Sequence, residues 1–425
     1  MIKEVLKNGL KVIYKYVPGN ITSFCIGVDA GAIKEEGFPL GTAHAVEHMV
    51  FKGTINKNEI EINKLCDELF GFQNAMTNYP YVVYYGSLLN EDLEKGLGLF
   101  SDIVLRPTFP ENGFKEEMDI IKQELNEWSE DLYQFCEDEL LHNAFQHRRI
   151  KDLIIGTHES ISKITLDVVK DFYNKYYLPS NMVVTVVTGL LEKEAISVVE
   201  KCFDVFEIEE NVENLKNIKS SGLESRYLNR NDIGNDYLYE NNNAGMFVKF
   251  REGVNGSKIQ YAYPIHSLSL KEITCLKVFN NYFGEGTSSI LYDTIRTQNG
   301  LAYEIESSIK EEKGIRLFKI SMGTSGENIE KALRLIDSSI EKIKRDTEIF
   351  NDQLIKKLIK NIELKRALRS EKSVQLAKDL ACSEIMYESN DIMYKMSEIL
   401  SEVTSEEISR VINKVLNFPT IQIIR

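Results

Sequence analysis

Basic residues, prolines and cysteine pairs are scarce in this chain, and each shortage excludes a class of protein. Among 425 residues, 51 lysines and arginines are outnumbered by 65 aspartates and glutamates, so the net charge is −14 and the pI is near 5.2. Such a surface repels phosphate backbones, and we expect no nucleic-acid partner. Only 8 prolines and 25 glycines argue against long low-complexity stretches.

Long apolar runs are missing as well. Lysines interrupt the N-terminal stretch MIKEVLKNGLKVIYKYVPG every few residues, unlike the apolar core of a secretory signal. No later run approaches the roughly 20 apolar residues that a membrane span needs. We therefore expect a cytoplasmic protein with no membrane span. The sequence contains no C-x-x-C pair, so it gives no sign of a thiolate metal site. Its cysteines stand singly, at Cys25, Cys66, Cys136, Cys202, Cys275 and Cys382.

The length and the patterning together predict two α+β domains. A chain of 425 residues exceeds the size at which one core usually keeps growing. A polar stretch at 216–243 separates a domain at 1–215 from a second one at 244–425. Strand-like segments are joined sometimes by short turns and sometimes by helices, which favours a mixed or antiparallel sheet covered by helices in each domain.

An internal repeat indicates that the two domains are homologous. GSLLNEDLEKGLGLF at 86–100 matches MGTSGENIEKALRLI at 322–336, at a constant offset of 236 residues. Upstream, KLCDELFGFQNAMTN resembles YDTIRTQNGLAYEIE, and downstream FKEEMDIIKQELN resembles FNDQLIKKLIKNI. Three matches in the same order predict the duplication of one α+β unit.

The segment GTAHAVEHMVFKGT at 41–54 carries a candidate metal site. His44 and His48 are four residues apart, so on a helix both imidazoles share one face. Two imidazoles suit zinc, and a hydrolytic zinc site takes three protein ligands and leaves one position for water. H-x-x-E-H is the inverted form of the H-E-x-x-H zinc motif, in which Glu47 is free to act as a base.

The third ligand cannot be chosen from composition. The acidic segment ENGFKEEMDIIKQELNEW has helical periodicity, and its candidate carboxylates include Glu116, Glu117, Asp119, Glu124 and Glu127. Glu117 and Glu124 are seven residues apart and share one helical stripe. Such a stripe can supply one ligand and one carboxylate that orients a ligand or the water.

These segments resemble the insulinase/pitrilysin-type zinc peptidases, the inverzincins, and in particular their two-domain bacterial and mitochondrial processing peptidase-like members. The resemblance extends over FQNAMT, over 154–189 and over FGEGTSSILYDTIRTQNGLAYEIES. It implies that Glu124, 76 positions after His48, is the third zinc ligand and that Glu117 supports the site. It also implies that Glu47 activates the attacking water.

The resemblance further implies where a peptide substrate binds. Asn74, Ala75 and Thr77 lie in the strand beside which the substrates of the family add as an extra strand. Arg296 and Tyr303 match an arginine and a tyrosine that reach the bound peptide, where they take part in substrate binding and catalysis. The second half has Lys360 at the offset position of Glu124, so it is expected to hold no zinc.

The predicted function is that of a zinc-dependent endopeptidase that cleaves short or unfolded peptides in an enclosed chamber. The family builds this chamber from four such domains, so a chain with two implies a homodimer, or a heterodimer with a related subunit. The alternatives are a non-catalytic chamber subunit or a peptide-binding subunit of a related protease complex. The complete zinc motif disfavours the first alternative, because non-catalytic subunits of the family usually lose part of it. Glu47 disfavours the second, because a pure binder needs no carboxylate beside the open position of the metal.

Overall fold

The computed structural model describes residues 1–203, 238–254, 256–389 and 391–425. Contacts divide the chain into two compact units. The first comprises Met1–Ile121, Ile154–Tyr239 and Glu371–Glu388, and the second comprises Lys122–Leu153, Glu240–Ser370 and Ser389–Arg425. Most of the linker predicted at 216–243 lies outside the described residues, so the boundaries 1–215 and 244–425 stay predictions.

Each unit has its own mixed sheet with helices around it, which confirms the predicted α+β fold. The six-stranded first sheet has the order β1-β2-β6-β3-β5-β4, with β1 Ile2–Val5, β2 Lys11–Tyr16, β3 Ile21–Val28, β4 Phe70–Thr77, β5 Val82–Leu89 and β6 Met182–Thr188. The five-stranded second sheet has the order β7-β11-β8-β10-β9, with β7 Gly245–Lys249, β8 Ser257–Pro264, β9 Ile305–Glu312, β10 Ile315–Thr324 and β11 Thr420–Ile424.

Helices fill most of the remaining chain. In chain order they are α1 Thr42–Val50, α2 Glu59–Leu69, α3 Leu93–Leu105, α4 Glu111–Glu130, α5 Leu132–Ala144, α6 His158–Ile161, α7 Leu166–Tyr176, α8 Glu192–Phe203, α9 Leu270–Phe283, α10 Ile329–Arg345, α11 Asp352–Glu371, α12 Ser373–Tyr387, α13 Asp391–Ser401 and α14 Ser405–Val415. A short turn, Ile290–Tyr292, runs into a π-helix at Asp293–Thr297. Within the described ranges no helix is both long and apolar enough to span a membrane.

Helix starts follow local capping chemistry. The Ser269 side chain accepts from the backbone N–H of Glu272, and the Glu272 carboxylate accepts from the N–H of Ser269. Thr404 and Glu407 form the same capping box at the start of α14, and Asn58 with Glu61 does so at α2. These reciprocal bonds satisfy N–H groups that lack a partner within the helix, so each box fixes where its helix begins.

The strand topology confirms the internal duplication. When β2 to β6 are matched in chain order with β7 to β11, the two sheets have the same strand order, and β1 is an addition. The one parallel pair falls at the same place in both sheets, as β2·β6 and as β7·β11. Helix α3 begins at Leu93 and α10 at Ile329, which is the offset of 236 seen in the sequence. The two halves are therefore copies of one plan.

Helix α12 covers the buried strands of the first sheet. Strand β6 is buried along its whole length and β3 along all but its first residue. A Cβ at Gly27 would lie 2.5 Å from Cδ1 of Ile385, so glycine allows the close approach of α12 to β3. The fully buried Glu384 of α12 accepts from the amine of Lys3 at 2.6 Å and lies 3.2 Å from that of Lys11. Apolar packing and a satisfied buried charge together hold α12 on the sheet.

The second unit has a core of similar design. Helix α5 packs on β8 and β11, and α9 and α14 pack on each other. The buried Glu137 of α5 accepts from the amine of Lys319 on β10 at 2.6 Å. Burial alone raises the pKa of this carboxyl, but the charges of Lys319 and Lys310 outweigh it, so the pKa lies below its usual value. Glu137 therefore stays ionised and ties α5 to the sheet.

Candidate metal centre and active site

Helix α1 carries the H-x-x-E-H motif, and a buried acid fixes its first turn. The helix starts after Gly41, whose φ of 93° is left-handed and which has no side chain to cap the turn. Oε1 of Glu35 accepts from the backbone N–H groups of Gly41 at 3.1 Å and Ala43 at 2.9 Å. A carboxylate at a helix N-terminus also matches the positive end of the helix dipole. Sequence reasoning missed this role of Glu35.

The two histidines of α1 converge on one point. Nε2 of His48 lies 3.2 Å from Nε2 of His44, and the two rings are tilted by 74°. Two nitrogens bound tetrahedrally to zinc are expected about 3.3 to 3.4 Å apart, given Zn–N distances of about 2.0 to 2.1 Å. Glu124 joins them, since one ligand atom from each of the three residues lies within 4.8 Å of the others. The donor set and its spacing fit zinc, with Glu124 where the resemblance placed the third ligand.

Helix α4 carries two acidic residues of the site, Glu117 and Glu124. It begins in the first unit and continues past Ile121, where the division into units falls. Oε2 of Glu117 lies 2.7 Å from Nδ1 of His48. An ionised carboxylate only accepts hydrogen bonds, so this contact places the proton of His48 on Nδ1 and makes Nε2 the ligand atom. The contact agrees with the supporting role that the resemblance implies for Glu117, and this role stays a prediction.

A lysine holds Glu117 in its ionised form. The amine of Lys52 lies 3.2 Å from Oε1 of Glu117 and 2.8 Å from Oε1 of Glu59. Burial raises the pKa of the Glu117 carboxyl, but hydrogen bonds from His48 and Lys52 outweigh burial and leave this pKa below its usual value. The Glu117 carboxylate thus contacts His48 through Oε2 and is held by Lys52 through Oε1.

We expect Glu117→Gln to weaken zinc binding by about 10- to 100-fold, because a neutral amide holds the imidazole of His48 less strongly than a carboxylate. The measurement is a zinc titration in competition with a chromophoric chelator. Glu116→Gln is the matched control. Glu116 is exposed, and its contact with the Lys52 amine is weak, because the two groups are 3.5 Å apart. Equal zinc affinity in the two variants would contradict the role of Glu117.

Glu47 lies on the same helix, between Val46 and the ligand His48. Its Oε2 accepts a hydrogen bond from the hydroxyl of Thr77 at 2.7 Å. Burial raises the pKa of the hydroxyls of Tyr84 and Tyr177, which lie 2.9 Å apart, and the negative charge of Glu47 raises both pKa values further. The carboxylate is therefore close to uncharged hydroxyl groups, and it is next in sequence to a ligand of the candidate metal.

Strand β4 forms one edge of the first sheet. It pairs antiparallel with β5, with Asn74 opposite Tyr85 and Ala75 opposite Tyr84. Gly71 to Asn74 are exposed, and the side chain of Asn74 accepts from the backbone N–H of Ala75 at 2.8 Å. An edge strand can accept another strand, so the geometry agrees with the predicted addition of a peptide. The binding roles of Asn74, Ala75 and Thr77 stay predictions.

Arg296 and Tyr303 lie together in the second unit. Arg296 is on the π-helix, its guanidinium lies 5.0 Å from the centre of the Tyr292 ring, and its Nη1 donates to the carbonyl of Tyr303 at 2.8 Å. Tyr303 is 86% exposed. Both line a cavity of about 500 Å³, together with Tyr133, Glu304, Glu306 and other residues of this unit. Their action on a peptide held at the metal stays a prediction.

The described part of the second unit has no equivalent of the ligand set. At the offset of 236, His44 and His48 correspond to Asn280 and Gly284, and Glu124 corresponds to the exposed Lys360. Throughout the described ranges, the only group of three His, Cys, Asp or Glu side chains close enough to hold an ion is His44, His48 and Glu124. None of the six cysteines, which all lie in those ranges, forms a disulfide.

The fold and the cluster of His44, His48 and Glu124 point to the insulinase class of peptidases, and comparison with known proteins finds the same class. Residues 11–158 match the family described as Insulinase (Peptidase family M16), and residues 163–362 match the Peptidase M16 inactive domain. The chain belongs to the M16 peptidase family. The family predicted from the H-x-x-E-H segment is thereby confirmed.

The relatives of the chain include bacterial and mitochondrial proteins. It is 26% identical over 354 residues to an uncharacterized zinc protease, YmxG, of Bacillus subtilis. The aligned region covers 81% of this chain and 79% of the relative. It is 30% identical over 199 residues to the mitochondrial-processing peptidase subunit beta of Neurospora crassa, covering 47% of this chain and 42% of that subunit. A crystal structure of a protease from Helicobacter pylori has the same fold, with a TM-score of 0.85, 20% identity and coverage of 100% and 99%.

Proposed function

We propose that this chain is a zinc-dependent endopeptidase that cleaves short or unfolded peptides. The observation that carries the proposal is the convergence of His44, His48 and Glu124, with Glu47 directly before His48 on α1. Two bacterial relatives are named as zinc proteases, which supports the proposal. A metal-binding protein without catalysis would gain nothing from a carboxylate fixed at this point.

The chain supplies the proton transfers of the reaction. His44, His48 and Glu124 would hold the zinc ion, which when bound would lower the pKa of a water molecule and polarise the scissile carbonyl. Glu47 accepts a proton from the attacking water and returns it to the leaving amine as the C–N bond breaks. Glu117 keeps the imidazole of His48 in the orientation that ligation needs. Tyr303 and Arg296 are the proposed donors to the carbonyl oxygen when it becomes negatively charged.

The substrate proposal follows from the exposed edge strand β4. Peptides that add to a sheet edge bind through backbone hydrogen bonds, so they must be extended, and folded proteins cannot offer such a segment. We further propose that two copies of the chain, or one copy and a related subunit, enclose the site in a chamber. A cytoplasmic location belongs to the same proposal.

A digest of a mixed peptide library, read by mass spectrometry, tests the function. We expect cleavage by the purified chain, its loss when a chelator removes the metal, and its return when zinc is added back. Cleavage that persists in the chelator would contradict the zinc mechanism. Zinc binding without any cleavage would instead favour a non-catalytic chamber or peptide-binding subunit.

A further inference from the structure

Thr77 is the last residue of β4, and its side chain contacts the candidate base. Its hydroxyl donates to Oε2 of Glu47 at 2.7 Å, the usual distance of an O–H···O hydrogen bond. Opposite Thr77 in the sheet lies Val82, which offers no polar side chain. The contact between Thr77 and Glu47 therefore joins the end of the edge strand to the helix that carries both histidines.

The turn after Thr77 fixes where its hydroxyl lies. The N–H of Asn78 donates to the carbonyl of Tyr81 at 2.8 Å, which closes the turn from β4 to β5. The N–H of Ala32 donates to the carbonyl of Asn78 at 3.1 Å, and that of Ile33 to the carbonyl of Tyr79 at 2.9 Å. The backbone next to Thr77 is thus held from two sides, and the branched Thr77 side chain has few rotamers, so the range of positions open to its hydroxyl is small.

A glutamate needs such a donor if its carboxylate is to have one orientation. The last torsion of a glutamate side chain has a broad distribution, so the carboxylate plane is not set by the helix that carries the residue. Proton transfer requires the accepting oxygen within about 3 Å of the water in a suitable direction. A hydrogen bond to one carboxylate oxygen restricts rotation about this torsion and so directs the other oxygen.

We infer that Thr77 is a positioning residue of the peptidase reaction, which acts through Glu47 by fixing the orientation of its carboxylate. The inference rests on the proposed function and deepens it. The role differs from the substrate binding predicted for Thr77, because the hydroxyl is directed at Glu47 and the strand edge offers backbone groups to a peptide. One strand therefore supports both substrate and base.

Three variants separate positioning from simple packing. Thr77→Val keeps the shape of the side chain and removes the hydroxyl, whereas Thr77→Ser keeps the hydroxyl. Thr54→Val is the matched control, because the Thr54 hydroxyl donates to Oδ2 of Asp102, also at 2.7 Å, among residues that form no part of the ligand set. Zinc content, kcat and KM are measured for each variant on one peptide that the wild type cleaves.

We expect Thr77→Val to lower kcat by about 10- to 100-fold, since a misplaced catalytic group costs rates of this order. Its KM stays within about threefold of wild type and it binds zinc as wild type does, because no ligand changes. Thr77→Ser recovers most of the lost rate, and Thr54→Val leaves kcat near wild type. An unchanged kcat in Thr77→Val, or a Thr77→Ser variant equally slow, would overturn the inference.

A second measurement does not depend on catalysis. In crystal structures without substrate, we expect one orientation of the Glu47 carboxylate in wild type and Thr77→Ser, and a rotated or divided one in Thr77→Val. The same single orientation in all three proteins would show that Thr77 does not position Glu47. If the wild type cleaves no peptide, the peptidase proposal fails. The positioning of Glu47 by Thr77 is still supported in that case if the Glu47 carboxylate is rotated or divided in Thr77→Val.

Discussion

Glu47→Gln is expected to retain the zinc of the wild type and to lose at least 100-fold, and up to about 10,000-fold, in kcat, the range that general-base catalysis contributes. Glutamine has the size of glutamate, and its amide oxygen can still accept from the Thr77 hydroxyl, so the fold of α1 is preserved. What disappears is the basic oxygen that takes the proton of the water. Metal analysis and initial rates on one peptide check both halves of the prediction.

The matched control for this variant is Glu36→Gln. Glu36 is exposed in the loop before α1 and forms no part of the ligand set. We expect it to have wild-type rates and metal content. Hydrolysis at the wild-type rate in Glu47→Gln would remove the proposed mechanism, and loss of zinc from the same variant would make Glu47 a ligand rather than a base.

The second large effect is expected for Glu124→Ala. The variant leaves two imidazoles, and a two-ligand site binds zinc too weakly to survive dialysis. We expect zinc to fall from about one ion per chain to a small fraction of that, and peptide cleavage to fall at least about 1,000-fold at low free zinc. Metal analysis after dialysis against a weak chelator measures the first quantity, and initial rates measure the second.

Glu127→Ala provides the comparison for Glu124→Ala. Glu127 is three residues further along α4, is exposed and accepts from the amide of Gln123 at 3.1 Å, so it tests loss of a carboxylate from the same helix. We expect it to bind zinc and to cleave peptides as wild type does. If Glu124→Ala kept its zinc, the third ligand would have to be another group, and the assignment of the centre would be wrong.

The sequence predicted the histidine pair well because helical spacing alone determines it. Residues four apart on α1 must share a face, and the structure brings Nε2 of His44 and His48 to 3.2 Å. Helical spacing could not decide whether Glu117 or Glu124 is the ligand, because residues seven apart lie on the same stripe of the helix. Only a tertiary contact, that of Glu117 with Nδ1 of His48, separates the supporting role from the ligand role.

Glu35 shows what local patterns miss. The sequence does contain a signal, since α1 starts after Gly41 without any Ser, Thr, Asp or Asn in the capping position. A helix without its own cap needs an acceptor from elsewhere, but nothing in the sequence tells which of the nearby acids supplies it. Glu35 does so from six residues upstream of Gly41, through a bend that no periodicity describes.

Much of the fold could be predicted because the chain repeats itself. The offset of 236 residues placed two helices, α3 and α10, and each has a strand of its sheet before it. The position of α12 could not be predicted, since it depends on distant contacts. Gly27 makes room for Ile385 across the chain, and no local pattern connects a glycine in one strand with a helix more than 300 residues later.

Helix α4 restricts how this chain can change in length. Glu117 and Glu124 are two turns apart on a rigid rod, and inserting or deleting one residue between them would rotate one carboxylate by about 100° relative to the other. Either the ligand or its support would then face away from His48. Insertions in the loops between α1 and α4 carry no such penalty, so we expect related chains to vary in the separation of the two motifs and to keep this seven-residue interval.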